Sequence, residues 1–159
     1  MAAGVTLRKE KLAEFRAYME SALAHDVARS RHVNELVIDG ALTARGATTE
    51  LVATLNRAGP FGSGNPEPIV ALPSHQLVFA AEVGQAHLRL RFKSGDGAIL
   101  NGMAFRAVGQ RLGHALTQHG DQPLHVAGSL AVDRYQGAER VQLRVLDVAA
   151  PDQGPGVIR

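Results

Sequence analysis

The chain has 159 residues, 45% of them hydrophobic and 20% charged, which suits a compact domain with its own core and excludes a disordered polyelectrolyte. It has no cysteine, so disulfides, thiolate nucleophiles and cysteine-bound zinc are excluded. No apolar run approaches the ~18 residues of a membrane helix, and Met1 to Thr6 lacks the basic-then-apolar pattern of a signal peptide; the expected location is the cytoplasm.

Net charge is +2, yet of the 17 basic residues only Lys9, Lys11 and Lys93 are lysine, leaving 14 arginines. The guanidinium fork suits oxyanions, although a GC-rich coding sequence also yields arginine, so position has to decide. Residues 5–28 open on a short β-like start followed by a helix. Leu12, Phe15, Met19 and Leu23 fall at helical spacing and form an apolar stripe expected in the core. Thr6 is the candidate N-cap, and Arg16 with Glu20 is a candidate i,i+4 pair. Glu35 to Gly40 has the pattern of a short strand. Thr48, Thr49 and Glu50 start a second helix that runs to about Arg57, buries Leu51, Val52 and Leu55, and ends at Gly59-Pro60.

The segment Pro60-Phe61-Gly62-Ser63-Gly64-Asn65-Pro66-Glu67-Pro68 has too much Gly and Pro for a regular element. Its prolines, Phe61 and Asn65 indicate an ordered joint, and the main domain boundary is expected there. After residue 69 the hydrophobic period changes from 3.6 to 2. Strands are expected near 76–83, 86–93, 98–105, 123–133 and 139–149, with a helix over about 106–118 that buries Val108, Leu112 and Leu116. Gly84-Gln85, Gly95-Asp96-Gly97 and Gln136-Gly137 mark hairpin turns. Five short strands with a helix between the third and fourth predict an α+β chain: a five-stranded Greek-key OB-fold barrel preceded by a small α/β fragment. Residues 151–159 are expected to form a flexible tail.

The chemistry concentrates in His87-Leu88-Arg89-Leu90-Arg91-Phe92-Lys93. Strand alternation sends Leu88, Leu90 and Phe92 inward and His87, Arg89, Arg91 and Lys93 outward. The outward side chains are then spaced about 6.6–6.8 Å apart, close to the phosphate repeat of an extended single strand. Basic grooves with stacking aromatics are how OB-folds hold single strands; the alternative is an edge strand protected by charge. Between the last two strands, Tyr135 is a candidate stacking platform and Arg134 a candidate phosphate contact, or else Tyr135 packs on the barrel rim. Gln142 and Arg144 face outward, and the sequence does not say whether they join the stripe. Gly62-Ser63-Gly64 lacks the third glycine of a dinucleotide fingerprint. The seven histidines are dispersed, with no H-x-x-x-H and no carboxylate cluster. No catalytic residue, metal site or cofactor is expected in this chain.

Five stretches resemble the RecJ family of single-strand-specific DNA exonucleases. Pro60 to Pro68 resembles its P-F-G-x-G-N-P-E-P signature. Val83-Gly84 followed by His87-Leu88-Arg89-Leu90 resembles its V-G…H-L-K/R-L strand, Ile99 to Phe105 its I-x-A-I-A-F strand, and Val141-Gln142-Leu143-Arg144-Val145 its closing V-Q-L-x-I strand. Met1-Ala2-Ala3-Gly4 is similar to the end of the family's G-G-H-x-M-A-A-G motif. The matches are ordered and span nearly the whole chain.

This resemblance implies a C-terminal piece of a larger nuclease. Residues 1–58 would be the end of a DHH-associated domain, 59–68 a joint stiffened by proline, and 69–150 the OB-fold. Phe61, Asn65 and Glu67 would be joint residues, with Asn65 and Glu67 hydrogen-bonded to loop backbone. The D-H-H clusters that bind manganese or magnesium in the family are absent, so the chain alone is expected to be inactive. The implied role is to hold single-stranded DNA for a 5′-to-3′ exonuclease of DNA repair and recombination. The implied partners are that DNA, the catalytic core, and repair or replication proteins; no membrane is involved. The rival reading is a structural module whose basic stripe docks on the core or on a repair partner.

Overall fold

Alternating burial from Val70 onward builds the strands. In the computed structural model, which describes residues 4–32, 36–135 and 138–151, β2 (Val70–Val83), β3 (His87–Lys93), β4 (Ile99–Ala104), β5 (Leu124–Tyr135) and β6 (Ala138–Ala149) follow a two-residue β1 (Gly40–Ala41). The hydrogen-bonded order is β1-β2-β3-β4-β6-β5, and a further β2–β5 pairing closes β2 to β6 into a barrel. β4 and β6 run parallel while the other barrel ladders are antiparallel. This is the expected OB-fold, with α3 (Arg111–Gln118) inserted between β4 and β5.

The expected strands lie close to those observed, but β2 starts six residues before the expected 76. Pro73 and the left-handed Ser74 (φ 51°) hide its first half from a pattern-based reading. They mark the point where β2 changes partner, pairing through Val70–His75 with β5 and through Gln76–Val83 with β3. α3 is shorter than expected at its start: Arg106 (φ 54°) and Gly109 (φ 71°) are left-handed and cannot belong to an α-helix. The turns at Gly84-Gln85 and Gly95-Asp96-Gly97 are present; Gln136-Gly137 lies outside the described residues.

Inside the barrel Leu72, Leu90, Phe92 and Leu143 are fully buried, packed with Leu88, Leu100, Leu116, Val126 and Val145. Each such side chain contributes about 1.5–3 kcal/mol on burial. Gly128 lies at a β5 bulge where a Cβ would stand 2.1 Å from the Arg144 carbonyl. Only glycine lets the two backbones approach that closely.

The chain divides into two compact units, Met1–Leu36 and Val37–Arg159. The division precedes the 59–68 segment in which the sequence places the boundary, because residues 37–58 fold with the barrel. Asp39 and Ile69 exchange hydrogen bonds, N–H to carbonyl at 2.8 Å and N–H to carboxylate at 2.7 Å. Of the strand expected over Glu35 to Gly40, Glu35 lies outside the described residues and, from Leu36 on, only Gly40 enters β1, which pairs in parallel with the start of β2. α2 (Thr49–Asn56) is capped by Thr48, whose hydroxyl accepts the Leu51 N–H, and it buries Val52 while Leu51 and Leu55 are half-buried.

His75, 1% exposed, ties this segment to β2. Its Nδ1 donates to the Pro73 carbonyl at 2.9 Å, which leaves Nε2 to accept the Ala44 N–H at 3.0 Å. Arg45 pairs with Asp96 of the β3–β4 turn at 2.6 Å. Hydrogen bonds from the Ser94 hydroxyl, then from Arg45 and the Ala98 N–H, hold the Asp96 carboxyl well below the usual carboxylate range.

The first unit consists of a 3-10 turn (Lys9–Lys11) and α1 (Leu12–His32). Within this unit the stripe is not core: Leu12, Met19 and Leu23 are exposed and Phe15 is half-buried, since a single helix has no second apolar face of its own to pack on. Thr6 does not cap it; the turn begins after Arg8, which makes no side-chain cap. The ion pair seen on the helix is Lys11–Glu14 at 2.5 Å rather than Arg16–Glu20. Among the described residues no helix is long and apolar enough to cross a membrane.

Candidate nucleic-acid interface

β3 presents its two faces as the alternation predicts. Leu88, Leu90 and Phe92 are buried, whereas Arg89, Arg91 and Lys93 are exposed and His87 is half-buried. β3 lies between β2 and β4, so these cations stand on an interior strand of the sheet. Protection of an open edge does not account for them.

The registers extend the stripe into a surface. Arg91 lies between Phe79 and Asn101, and Asn101 pairs with Gln142, giving a row across β2, β3, β4 and β6. The next row runs Ala81, Arg89, Met103, Arg144. Arg144 therefore shares the outer face with Arg89, two strands or about 9.6 Å away. The parallel β4–β6 pairing answers what the sequence left open.

The arginines of β3 are held in place. The Arg89 and Arg91 guanidiniums lie 5.6 and 5.3 Å from the centroid of the Phe79 ring. A guanidinium stacked on an aromatic face keeps its charge and its outward N–H groups while losing side-chain freedom. Arg144 is partly occupied: its Nη1 lies 3.5 Å from Glu67 Oε1, with both side chains about half exposed.

His87 differs from the other members of the stripe. Its Nδ1 accepts the Arg106 N–H at 2.9 Å, so the ring is neutral with its proton on Nε2. It acts as a hydrogen-bonding support, not as a cation. Phe105, 53% exposed, meets the His87 ring edge-on with centroids 5.4 Å apart.

Arg134 stands apart from the stripe. It pairs with Glu139 at 2.9 Å, and the β5–β6 register sets both on the face opposite Gln142 and Arg144. Tyr135 continues β5 in register with Ala138; its side chain lies outside the described residues. In the Pro60 to Pro68 loop, the Asn65 amide donates to the Ala58 and Pro60 carbonyls at 2.9 and 3.2 Å. The backbones of Gly62 and Asn65 bond to each other in both directions. Asn65 thus locks the loop onto the end of α2, Phe61 is half-buried beside it, and Glu67 reaches the basic face.

Sequence reasoning did not single out Phe79, Asn101 or Phe105. Phe79 and Asn101 emerge only from cross-strand register. Phe105 was legible as the last residue of a strand motif, without a sign that its ring stays outside. Among the described residues no group of three or more His, Cys, Asp or Glu side chains is placed to hold a metal ion.

The RecJ OB domain family matches residues 38–147 of the chain. The single-stranded-DNA-specific exonuclease RecJ of Salmonella typhimurium is 26% identical over 149 residues, 93% of this chain and 25% of that protein. Its Escherichia coli counterpart is 29% identical over 146 residues, 90% of this chain and 24% of that protein. The crystal structure of RecJ in complex with Mn2+ from Thermus thermophilus superposes with a TM-score of 0.61 at 22% identity, covering 94% of this chain and 20% of that one. The chain therefore spans about a quarter of the length of the curated relatives it matches.

Proposed function

This chain belongs to the RecJ OB domain family, and from that premise we propose that it is the single-stranded DNA-holding module of a RecJ-like exonuclease. One observation carries the reading: the barrel registers gather Arg89, Arg91 and Arg144 on one outer face, with two of the guanidiniums braced on Phe79. Phosphates of an extended strand dock on these cations and on Lys93, and release their counterions. Asn101 and Gln142, between the charges, carry amides that hydrogen-bond bases or sugars without demanding one sequence. Arg134, bound to Glu139 on the other face, plays no part in this reading.

Cleavage, its 5′-to-3′ polarity and the manganese or magnesium it uses we assign to a catalytic core beyond this chain, in keeping with the shared length. The unit ahead of residue 37 we assign to the end of the DHH-associated domain, and the role to DNA repair and recombination. The test is fluorescence anisotropy of a labelled single-stranded oligonucleotide with unlabelled competitors. Single strands should displace the probe at far lower concentration than duplex. Absence of binding at low salt would return the face to the rival role, docking on the core or on a repair partner.

A further inference from the structure

We propose that Phe105 is the base-stacking platform of this face, a role that rests on the single-strand reading above and names the residue that grips a base. The chain contains five Phe, two Tyr and no Trp, so few rings are eligible. Phe92 is buried in the core, Phe79 is covered by two guanidiniums, and Phe61 belongs to the joint. Phe15 and Tyr18 belong to α1 of the first unit, and the Tyr135 side chain lies outside the described residues. Of the rings described on the barrel, Phe105 is left, more than half exposed at the end of β4, directly after the strand that carries Asn101 and Met103 on the same outer face.

Its ring is supported from beneath. His87 packs edge-on against it with planes 70° apart, and the Arg106 N–H fixes His87 through Nδ1. Arg106 is left-handed, φ 54°, which turns the chain just after Phe105. An edge-on neighbour braces a ring while leaving a broad face open. His87 and Arg89 are adjacent on the outer side of β3, about 6.6–6.8 Å apart along the strand, so a base on Phe105 sets its own phosphate near Arg89. Charge and stacking are then contiguous, the combination that holds single strands without regard to sequence.

The test uses the full chain, an oligo-dT, and an abasic oligomer of equal length that keeps every phosphate. Phe105→Ala should lose about 5- to 150-fold in affinity for oligo-dT, the range of one base–aromatic stack, and should leave the abasic oligomer unaffected. Phe105→Trp gives the chain its only indole, and its fluorescence should be quenched by oligo-dT but not by the abasic oligomer. Equal oligo-dT binding by wild type and Phe105→Ala, or an indole unmoved by oligo-dT, would overturn the platform while leaving the single-strand reading intact. Failure of the wild type to bind either oligomer would overturn both. Should Phe105→Ala fail to fold, shown by loss of its cooperative melt, the Phe105→Trp fluorescence decides alone.

Discussion

Arg144 shows how one side chain changes meaning once its neighbours are known. In the sequence it is one outward residue of a final strand. In the barrel it lies in a row with Met103 and Arg89, and Glu67 stands 3.5 Å from its guanidinium. The alternation of His87 to Lys93 was legible because period two needs only a strand and a core on one side. The neutrality of His87 was not, because it depends on an N–H from a residue nineteen positions away. Nor was the role of His75, whose ring links Pro73 to Ala44 through a contact 31 residues apart in sequence. In the proposed reading, the Glu67 carboxylate competes with phosphate for Arg144. Glu67→Gln should therefore tighten single-strand binding by up to about fivefold, the scale of an exposed ion pair. It should also steepen the salt dependence by about 0.7 in log–log slope. Anisotropy titrations at several salt concentrations check both.

Among the elements, the β3–β4 hairpin is anchored through its turn. Ser94 and Ala98 hold the Asp96 carboxylate within the turn, and Arg45 holds it from the 3-10 turn Ala44–Gly46. Because these bonds depress the folded-state pKa of Asp96, its contribution to stability is complete above the unfolded value of about 3.9. That contribution is lost as pH falls through the lower folded value. Asp96→Asn should thus melt below wild type at neutral pH, and the gap should narrow below about pH 4. Parallel melts by circular dichroism across that range test the sign; a gap that widens in acid would contradict it. The turn glycines made this hairpin visible in the sequence, whereas the partner Arg45, 51 residues away, was not. The early start of β2 was hidden for a related reason. Its first half pairs with β5 and its second with β3, and the break between them carries Pro73 and Ser74, residues that signal a loop when taken alone.

For the whole molecule, the five barrel strands and the helix inserted among them were legible because the change from a period of 3.6 to one of 2 is a physical consequence of two different backbones. The extent of the barrel unit was not, since the contacts joining residues 37–58 to it include a parallel two-residue strand, the Asp39–Ile69 bonds, the Arg45–Asp96 pair, one buried histidine bond and the burial of Val52. None of these leaves a local pattern. A chain of residues 37–159 should fold with a single cooperative transition. One that starts at residue 69 should be less stable by roughly 3 kcal/mol or more, from lost Val52 burial and the lost Ala44–His75 bond. Urea denaturation of the two chains measures the difference.

The central claim is that the outer face of β3, braced by Phe79 and continued by Arg144, holds the phosphates of a single strand. The most direct measurement is the salt dependence of oligo-dT affinity for wild type and for Arg89→Ala combined with Arg91→Ala. Two lost phosphate contacts should make the log–log slope shallower by about 1.4 and weaken binding at every salt concentration. A double variant that binds as tightly as wild type, on the same slope, would contradict the account.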